Sequence, residues 1–274
     1  MSTKNSILLI DPAFDPSTSL TSTLLVRVGI DSFSYAILDK ESNTITAVFD
    51  EQECENIEGK LIERLKNDPY LGLTFNEIKL AVYTDNSVSV PNSLDADAHL
   101  NTKFFNNSFS KDVYTTNHAN FGFRSVFAFS TLIDEIGHTS LVDSKKYEPK
   151  AGLLKLAENC ADTSLLLDFT AGALYVLYIH RKQVIFQQCY EIENTEEFNY
   201  YLLLMINQLA IQPNGTEVYL SGIVHENDDK YNILKAHFNA VRFLDFVDTN
   251  LNQQILEDMP SHYYTTLLAL DQCV

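Results

Sequence analysis

Short apolar segments near the amino terminus predict a group of β-strands followed by a helix and another strand. The predicted strands span residues 24–30, 32–38, 44–49 and 78–82. Between the third and fourth strands, Ile57, Leu61 and Leu65 recur at intervals of four, which predicts an amphipathic helix. Residues 1–23 are rich in Ser, Thr, Pro and Asp, so we expect a lead-in segment, with regular structure beginning near Leu24.

The same order of elements recurs about 140 residues further along the chain. The second set of predicted strands spans residues 165–169, 173–180, 184–192 and 217–221. Asn194 and Glu197 have the spacing of a helix N-cap and its reciprocal acid, which predicts a helix between the third and fourth of these strands.

The second half continues with further predicted elements, namely a helix near 231–238, a strand over 241–246 and a last helix from His262 to Cys273 capped by Ser261. Two sets with the order strand, strand, strand, helix, strand predict a duplicated α/β unit. We expect the half-domains to span 24–150 and 151–274, each built on a mixed sheet in βββαβ order with flanking helices.

Composition changes the picture mainly through charge. The chain has 274 residues with 19 Lys+Arg and 37 Asp+Glu, a formal net charge of -18. Such a surface repels phosphate backbones and anionic membranes, so we expect neither nucleic acid nor membrane as a partner. The four cysteines are far apart and no CxxC occurs, which is typical of unpaired thiols in a reducing compartment. Without a signal peptide or a long apolar run, the sequence predicts a cytoplasmic protein.

This arrangement resembles the ribonuclease-H-like, actin-like ATPase superfamily, which includes actin, sugar kinases and the pilus-assembly ATPases. It is also similar to a bacterial family of uncharacterised actin-like proteins, known as a domain of unknown function. The resemblance implies two phosphate loops, the first at Asp31 and the second at 167–172, and an adenosine-binding strand end at 218–223. The cleft candidates that it implies are Asp31, Asp168, Thr170, Gly172, Ser221 and Gly222.

The loops depart from the pattern of the working ATPases. In those members an Asp is followed within two residues by glycine, whose backbone can approach phosphate closely. Asp31 is followed by residues 32–34 without glycine, Thr170 occupies the glycine place of the second loop, and no second glycine follows Gly222. No GxGxxG or GxxxxGK[ST] motif occurs either. We therefore expect no cofactor, no catalytic residue and no metal site, with ATP binding lost or never present.

Two carboxylate arrangements remain as alternatives. Asp31, Asp85 and Asp168 could hold magnesium in a cleft between the halves. A ribonuclease-H-like nuclease would instead use Asp31, Glu58 or Glu63, and Asp85, but the sequence offers no basic stripe to hold a polyanion.

Periodicity fails between residues 92 and 120, a segment rich in asparagine that also carries Phe104, Phe105, Phe109 and Tyr114. Long segments without secondary structure of their own are often functional. The aromatic rings predict either a partner anchor or a segment that folds back onto the first half-domain, as a cap or as a short strand pair.

These observations favour a non-catalytic actin-like scaffold or assembly protein with an unidentified protein partner. The alternative is a divergent ATP-binding protein, an ATPase or kinase, of the same superfamily.

Overall fold

The fold is known from a computed structural model, which describes residues 5–94, 112–139, 141–246 and 250–274. The strands are β1 (Ser6–Ile10), β2 (Ser22–Val28), β3 (Phe33–Asp39), β4 (Thr44–Glu51), β5 (Glu77–Val82), β6 (Ser87–Pro91), β7 (Tyr114–His118), β8 (Phe123–Phe127), β9 (Lys145–Tyr147), β10 (Ser164–Phe169), β11 (Ala173–His180), β12 (Gln183–Glu191), β13 (Glu217–Gly222) and β14 (Ala240–Phe243). The α-helices are α1 (Ile57–Asn67), α2 (Thr131–Thr139), α3 (Ala151–Ala157), α4 (Thr195–Gln208), α5 (Asp229–His237) and α6 (Thr265–Leu268).

The two large mixed sheets share one strand order, apart from β1, an additional edge strand of the first sheet. The first sheet runs β1-β4-β3-β2-β5-β9 and the second runs β12-β11-β10-β13-β14. In the first, β2, β3 and β4 pair antiparallel, and β5 lies parallel to β2 after the crossover through α1. In the second, β10, β11 and β12 pair antiparallel, and β13 lies parallel to β10 after the crossover through α4. In both sheets three antiparallel strands are thus followed by a helix and a fourth strand, which lies parallel to the first of the three.

The layers follow from the alternation of side chains along each strand. Leu24 and Val26 of β2 face a core shared with α1 and α2, whereas Leu25 faces the opposite side. Leu166 of β10 and Leu25 pack in one central core, which also contains side chains of α3 and α6. The outer face of β10, which carries Leu165, packs against α4 and α5. The result is a five-layer α/β/α/β/α arrangement, with a central helical layer between the two sheets.

Local sequence signals account for where two helices begin. The Asn56 side chain accepts a hydrogen bond from the Gly59 N–H at 3.0 Å at the start of α1. At the start of α4, Asn194 accepts from the Glu197 N–H at 2.9 Å, as predicted. The carboxylate of Glu197 accepts from the backbone N–H of Glu193, one residue before the position that the capping box predicts.

Two predictions about the ends of the chain are wrong. Regular structure begins before Leu24, because β1 (Ser6–Ile10) pairs antiparallel with β4 and extends the first sheet. The last helix is short, with α6 followed by a 3-10 turn over Ala269–Gln272. Ser261 does not cap it, since its hydroxyl donates to Asp245 instead.

A small antiparallel sheet, in the order β6-β8-β7, branches from the first half of the chain. Its strand β7 lies in the segment where periodicity fails, and Tyr114 packs its ring against Phe127 and Phe129 at 5.8 and 5.3 Å between centroids. This ring therefore folds back onto the first core. Phe104, Phe105 and Phe109 lie outside the described residues. Across the described ranges, no helix combines the length and apolar character that crossing a membrane requires.

Candidate functional site

Two hairpin turns, one from each large sheet, meet in the cleft between the sheets. In the β2–β3 turn the Gly29 N–H donates to the Ser32 carbonyl at 2.7 Å. In the β10–β11 turn the Thr170 N–H donates to the Ala173 carbonyl at 2.9 Å. The matching hydrogen bonds make Gly29 equivalent to Thr170 in position.

This equivalence identifies the residue that corresponds to Asp168. Asp168 stands two residues before Thr170, one residue before the end of β10. Arg27 stands two residues before Gly29, one residue before the end of β2. Arg27, and not Asp31, is therefore the positional counterpart of Asp168, which corrects the sequence-based placement of the first loop.

Arg27 and Asp168 form an ion pair across the cleft. The Arg27 Nη2 lies 2.5 Å from the Asp168 Oδ2, and the Asp168 side chain is fully buried. The Ser221 hydroxyl donates to Asp168 at 2.8 Å, and Arg27 donates to the Thr266 hydroxyl at 3.0 Å. The guanidinium also lies over the Tyr175 ring, 4.9 Å from its centroid. Burial alone would lower the pKa of Arg27, but the neighbouring Asp168 charge raises that pKa above its usual value.

Two N–H groups of the second hairpin donate hydrogen bonds to side chains from the first half of the chain. The Gly172 N–H donates to the Asp31 Oδ2 at 2.7 Å, and the Thr170 hydroxyl donates to the Asp31 Oδ1 at 2.8 Å. The Ala171 N–H donates to the Gln52 side-chain oxygen at 3.1 Å. A carboxylate of the protein itself thus lies where backbone donors could otherwise receive an anion.

A cavity of about 370 Å³ lies beside these hairpins. Residues of both sheets and of the C-terminal segment 263–267 line it, among them Arg27, Asp50 and Gln52. Burial raises the pKa of Asp50 to about 6, against the opposing effects of a hydrogen bond from Gln52 and of the Arg27 charge. The Asp50 carboxyl is consequently poised to change protonation near neutral pH.

Gly222 is required by packing between strands. Its backbone has a positive φ of 76°, and a Cβ there would lie 2.0 Å from the Phe169 carbonyl oxygen. The Ile223 N–H donates to the same carbonyl at 2.8 Å. The close approach of the chain to itself is enough to explain this glycine.

The structure brings together all six cleft candidates but not the proposed magnesium or nuclease sets. Asp31 contacts Thr170 and Gly172, and Ser221 hydrogen-bonds Asp168, with Gly222 directly after it. Asp85 lies apart, where it accepts from the Tyr83 hydroxyl at 2.5 Å. With Glu58 it lines a separate cavity of about 330 Å³. Within the described ranges no group of three or more His, Cys, Asp or Glu side chains is arranged to hold a metal ion.

Arg27 is the member of the ion pair that sequence reasoning missed. Its signal was present, because a lone charge interrupts the apolar run from Leu24 to Val28. Alternation places Arg27 on the same face as Leu25, which points into the central layer. A charge at such a position requires a buried partner.

Comparison with known structures shows the fold. A Bacteroides thetaiotaomicron protein with an actin-like ATPase fold and unknown function is similar over 95% of this chain and 99% of that one, with 16% identity and a TM-score of 0.74. The PilM-PilN type IV pilus biogenesis complex matches over 91% of this chain and 97% of that one, with 10% identity and a TM-score of 0.59. The ethanolamine utilization protein EutJ from Carboxydothermus hydrogenoformans matches over 97% and 93%, with 9% identity and a TM-score of 0.52.

No curated protein matches this chain at a significant level. The structural similarities show that the protein has an actin-like ATPase fold, like the Bacteroides thetaiotaomicron protein of unknown function. Residues 11–241 match the family described as "Protein of unknown function (DUF3822)", and the chain belongs to that family.

Proposed function

We propose that this protein is a non-catalytic actin-like scaffold or assembly protein whose cleft is closed by its own side chains. The observation that carries the proposal is the Arg27–Asp168 ion pair, 2.5 Å long, at the two equivalent hairpin positions. A cation of the chain thereby neutralises the carboxylate that would otherwise face a metal-bound phosphate.

Neither hairpin has the complete Asp-x-Gly pattern of the working ATPases. The first keeps Gly29 but has Arg27 in place of the Asp, and the second keeps Asp168 but has Thr170 in place of the glycine. Asp31 adds a further obstacle, since its carboxylate accepts the Gly172 N–H and would repel a phosphate placed there. Three separate features thus oppose nucleotide binding.

The alternative is a divergent ATP-binding protein, an ATPase or kinase. The cavity of about 370 Å³ beside the hairpins favours it, because the volume is in the usual range for small-molecule sites. In that case Asp31 and Asp168 would lie near a metal-bound phosphate, and Arg27 would have to leave Asp168.

We also propose that the two halves arose by duplication. Support comes from the shared strand order and from the constant offset between equivalent residues that contact each other. Arg27 contacts Asp168 and Asp31 contacts Gly172, each pair separated by 141 positions. Contacts between equivalent residues are expected close to a local two-fold axis.

The proposed setting is cytoplasmic, with a protein as partner and without nucleic acid. Four free cysteines fit a reducing compartment, and the net charge of -18 opposes polyanions. The PilM-PilN structure, a complex built on this fold, supports an interaction role.

The test is thermal unfolding with and without millimolar Mg-ATP. A ligand that binds only the native state at a hundredfold excess over Kd stabilises it by about 2.7 kcal/mol, which would raise Tm by several degrees. We expect no shift for the natural protein.

A shift of several degrees in the natural protein, lost in Asp168→Asn, would overturn the scaffold proposal in favour of the ATP-binding alternative. Asp245→Asn is a suitable control, because this carboxylate accepts a hydrogen bond from Ser261, and neither residue belongs to the two hairpins.

A further inference from the structure

Helix α4 is apolar on nearly every side over its central two turns. Residues 200–206 read YYLLLMI, an uninterrupted run of seven apolar and aromatic residues. A helix that is apolar all round is normally buried on all sides. In α4 only the inner face is covered, where Phe198, Leu202 and Met205 pack on the second sheet.

The outer face of α4 consists of Tyr200, Leu203 and Leu204, which we call the outer stripe. Their spacing of three and four residues places them on one side of the helix, opposite the buried side chains. Their side chains are exposed to 62%, 44% and 38%. The Tyr200 ring meets the Tyr201 ring edge-on at 5.4 Å, so the aromatic surface continues from the stripe toward the sheet.

The segment that carries the outer stripe is strongly acidic. Between Gln183 and Asp229 the sequence contains eight Asp and Glu residues and no Lys or Arg. Glu193 and Glu196, at the amino-terminal end of α4, are exposed. A complementary surface would therefore combine apolar side chains with positive charge.

We propose that the outer stripe docks a basic amphipathic helix of a partner protein, with its apolar face on Tyr200, Leu203 and Leu204 and its cationic residues toward Glu193 and Glu196. This inference rests on the proposed interaction role and names the chemistry of the partner. Two helices pack against each other through rows of side chains at this spacing of three and four residues.

A second copy of the chain fits the outer stripe less well. Three exposed apolar side chains are few beside the roughly 20–30 residues per side of a standard stable interface. Pairing two copies through α4 would also bring two segments without Lys or Arg together, each carrying Glu193 and Glu196.

The experiment measures the anisotropy of a labelled 18-residue peptide of leucine and lysine arranged at the helical period, titrated with the full chain. The control peptides replace lysine by glutamate, or keep the composition but follow the period of a strand. The protein variants are Leu203→Gln with Leu204→Gln, and Glu193→Gln with Glu196→Gln. The matched control is Leu132→Gln, whose side chain is 37% exposed on α2 at the other sheet.

We expect the basic helical peptide to bind and both control peptides to bind at least tenfold more weakly. The leucine double variant should lose tenfold or more in affinity, the glutamate double variant should weaken binding severalfold and flatten its salt dependence, and Leu132→Gln should change nothing. Because the changed side chains face outward, Tm should hold in every variant.

Equal binding by the leucine double variant and Leu132→Gln would overturn the proposal, as would equal binding of the glutamate peptide. A dimer in light scattering that the leucine double variant abolishes would assign the stripe to a second copy instead. The readout is independent of nucleotide. If Mg-ATP raises Tm and the peptide still binds, only the non-catalytic role is contradicted. If Mg-ATP leaves Tm unchanged and the peptide does not bind, only the docking surface is contradicted.

Discussion

Replacing Arg27 by Gln tests whether the ion pair across the cleft holds the two sheets together. The change removes the positive charge but keeps a polar side chain of moderate length. The fully buried Asp168 would keep its hydrogen bonds from the Ser221 and Thr266 hydroxyls but would lose its cationic partner. A carboxylate left uncompensated in this way is costly, because burial disfavours a charge that has no cationic partner.

The expected loss is about 3–5 kcal/mol in the free energy of unfolding, the range for breaking a buried pair by removing one partner. That is a large part of the about 5–15 kcal/mol that stabilises a native protein. The Arg27 side chain is 11% exposed and that of Asp168 is 0% exposed, so solvent screens the pair very little.

Equilibrium urea unfolding measures this loss, and Arg64→Gln provides the matched control. Arg64 also bonds a carboxylate, that of Glu51 at 2.7 Å, and also lies over an aromatic ring, that of Phe49. In the control variant Glu51 keeps Lys60 at 3.1 Å and remains partly exposed, so we expect a loss of about 1 kcal/mol or less.

A double-mutant cycle separates the pair from its surroundings. Arg27→Gln combined with Asp168→Asn leaves no unpaired charge, so its loss should be smaller than the sum of the two single losses, by about 0.5–3 kcal/mol. If Arg27→Gln destabilises the protein no more than Arg64→Gln does, or if the two single losses simply add, the ion pair does not hold the sheets together.

Two further predictions concern the cavity and the central layer. Burial raises the pKa of Asp50 to about 6 from the usual 3.8. Between these two pH values the folded state keeps a proton that the unfolded state releases, so the free energy of unfolding falls as the pH rises from 3.8 to about 6. At pH 8 the buried Asp50 is charged, so Asp50→Asn should have a higher Tm than the natural protein. At pH 3.5 Asp50 is protonated, so the two Tm values should be equal. The same difference in Tm at both pH values would contradict this prediction. Gly152→Ala should lower Tm strongly, because its Cβ would lie 2.1 Å from the Thr266 carbonyl oxygen, whereas Gly215→Ala, with open space around it, should be nearly neutral. Comparable melting of these two variants would show that α3 can move away from α6 at little cost.

Much of the architecture could be predicted because its signals are local. The alternation of Phe33, Tyr35 and Ile37 indicates a strand, and the Asn194–Glu197 spacing indicates the start of α4. Strand β1 was missed because it is short and lies at the edge of the sheet, where its pairing with β4 rather than its own pattern orders it. The last helix was predicted too long, since its apolar side chains are buried by α3 and the sheets and need no helical period.

The sequence by itself determined the order of the elements from β2 to β5 and from β10 to β14, the burial of Leu25 and Leu165 and the loss of glycine at Thr170, because these depend on residue type and spacing along a few positions. Only the tertiary structure decided that Arg27 meets Asp168 and that Asp31 reaches Gly172, each 141 positions away. Such contacts depend on how two sheets pack across a helical layer, and no pattern along a single strand carries that information. The physical reason is that hydrophobic alternation specifies which face of a strand is buried, whereas the partner of a buried charge is specified by the geometry of the opposing sheet.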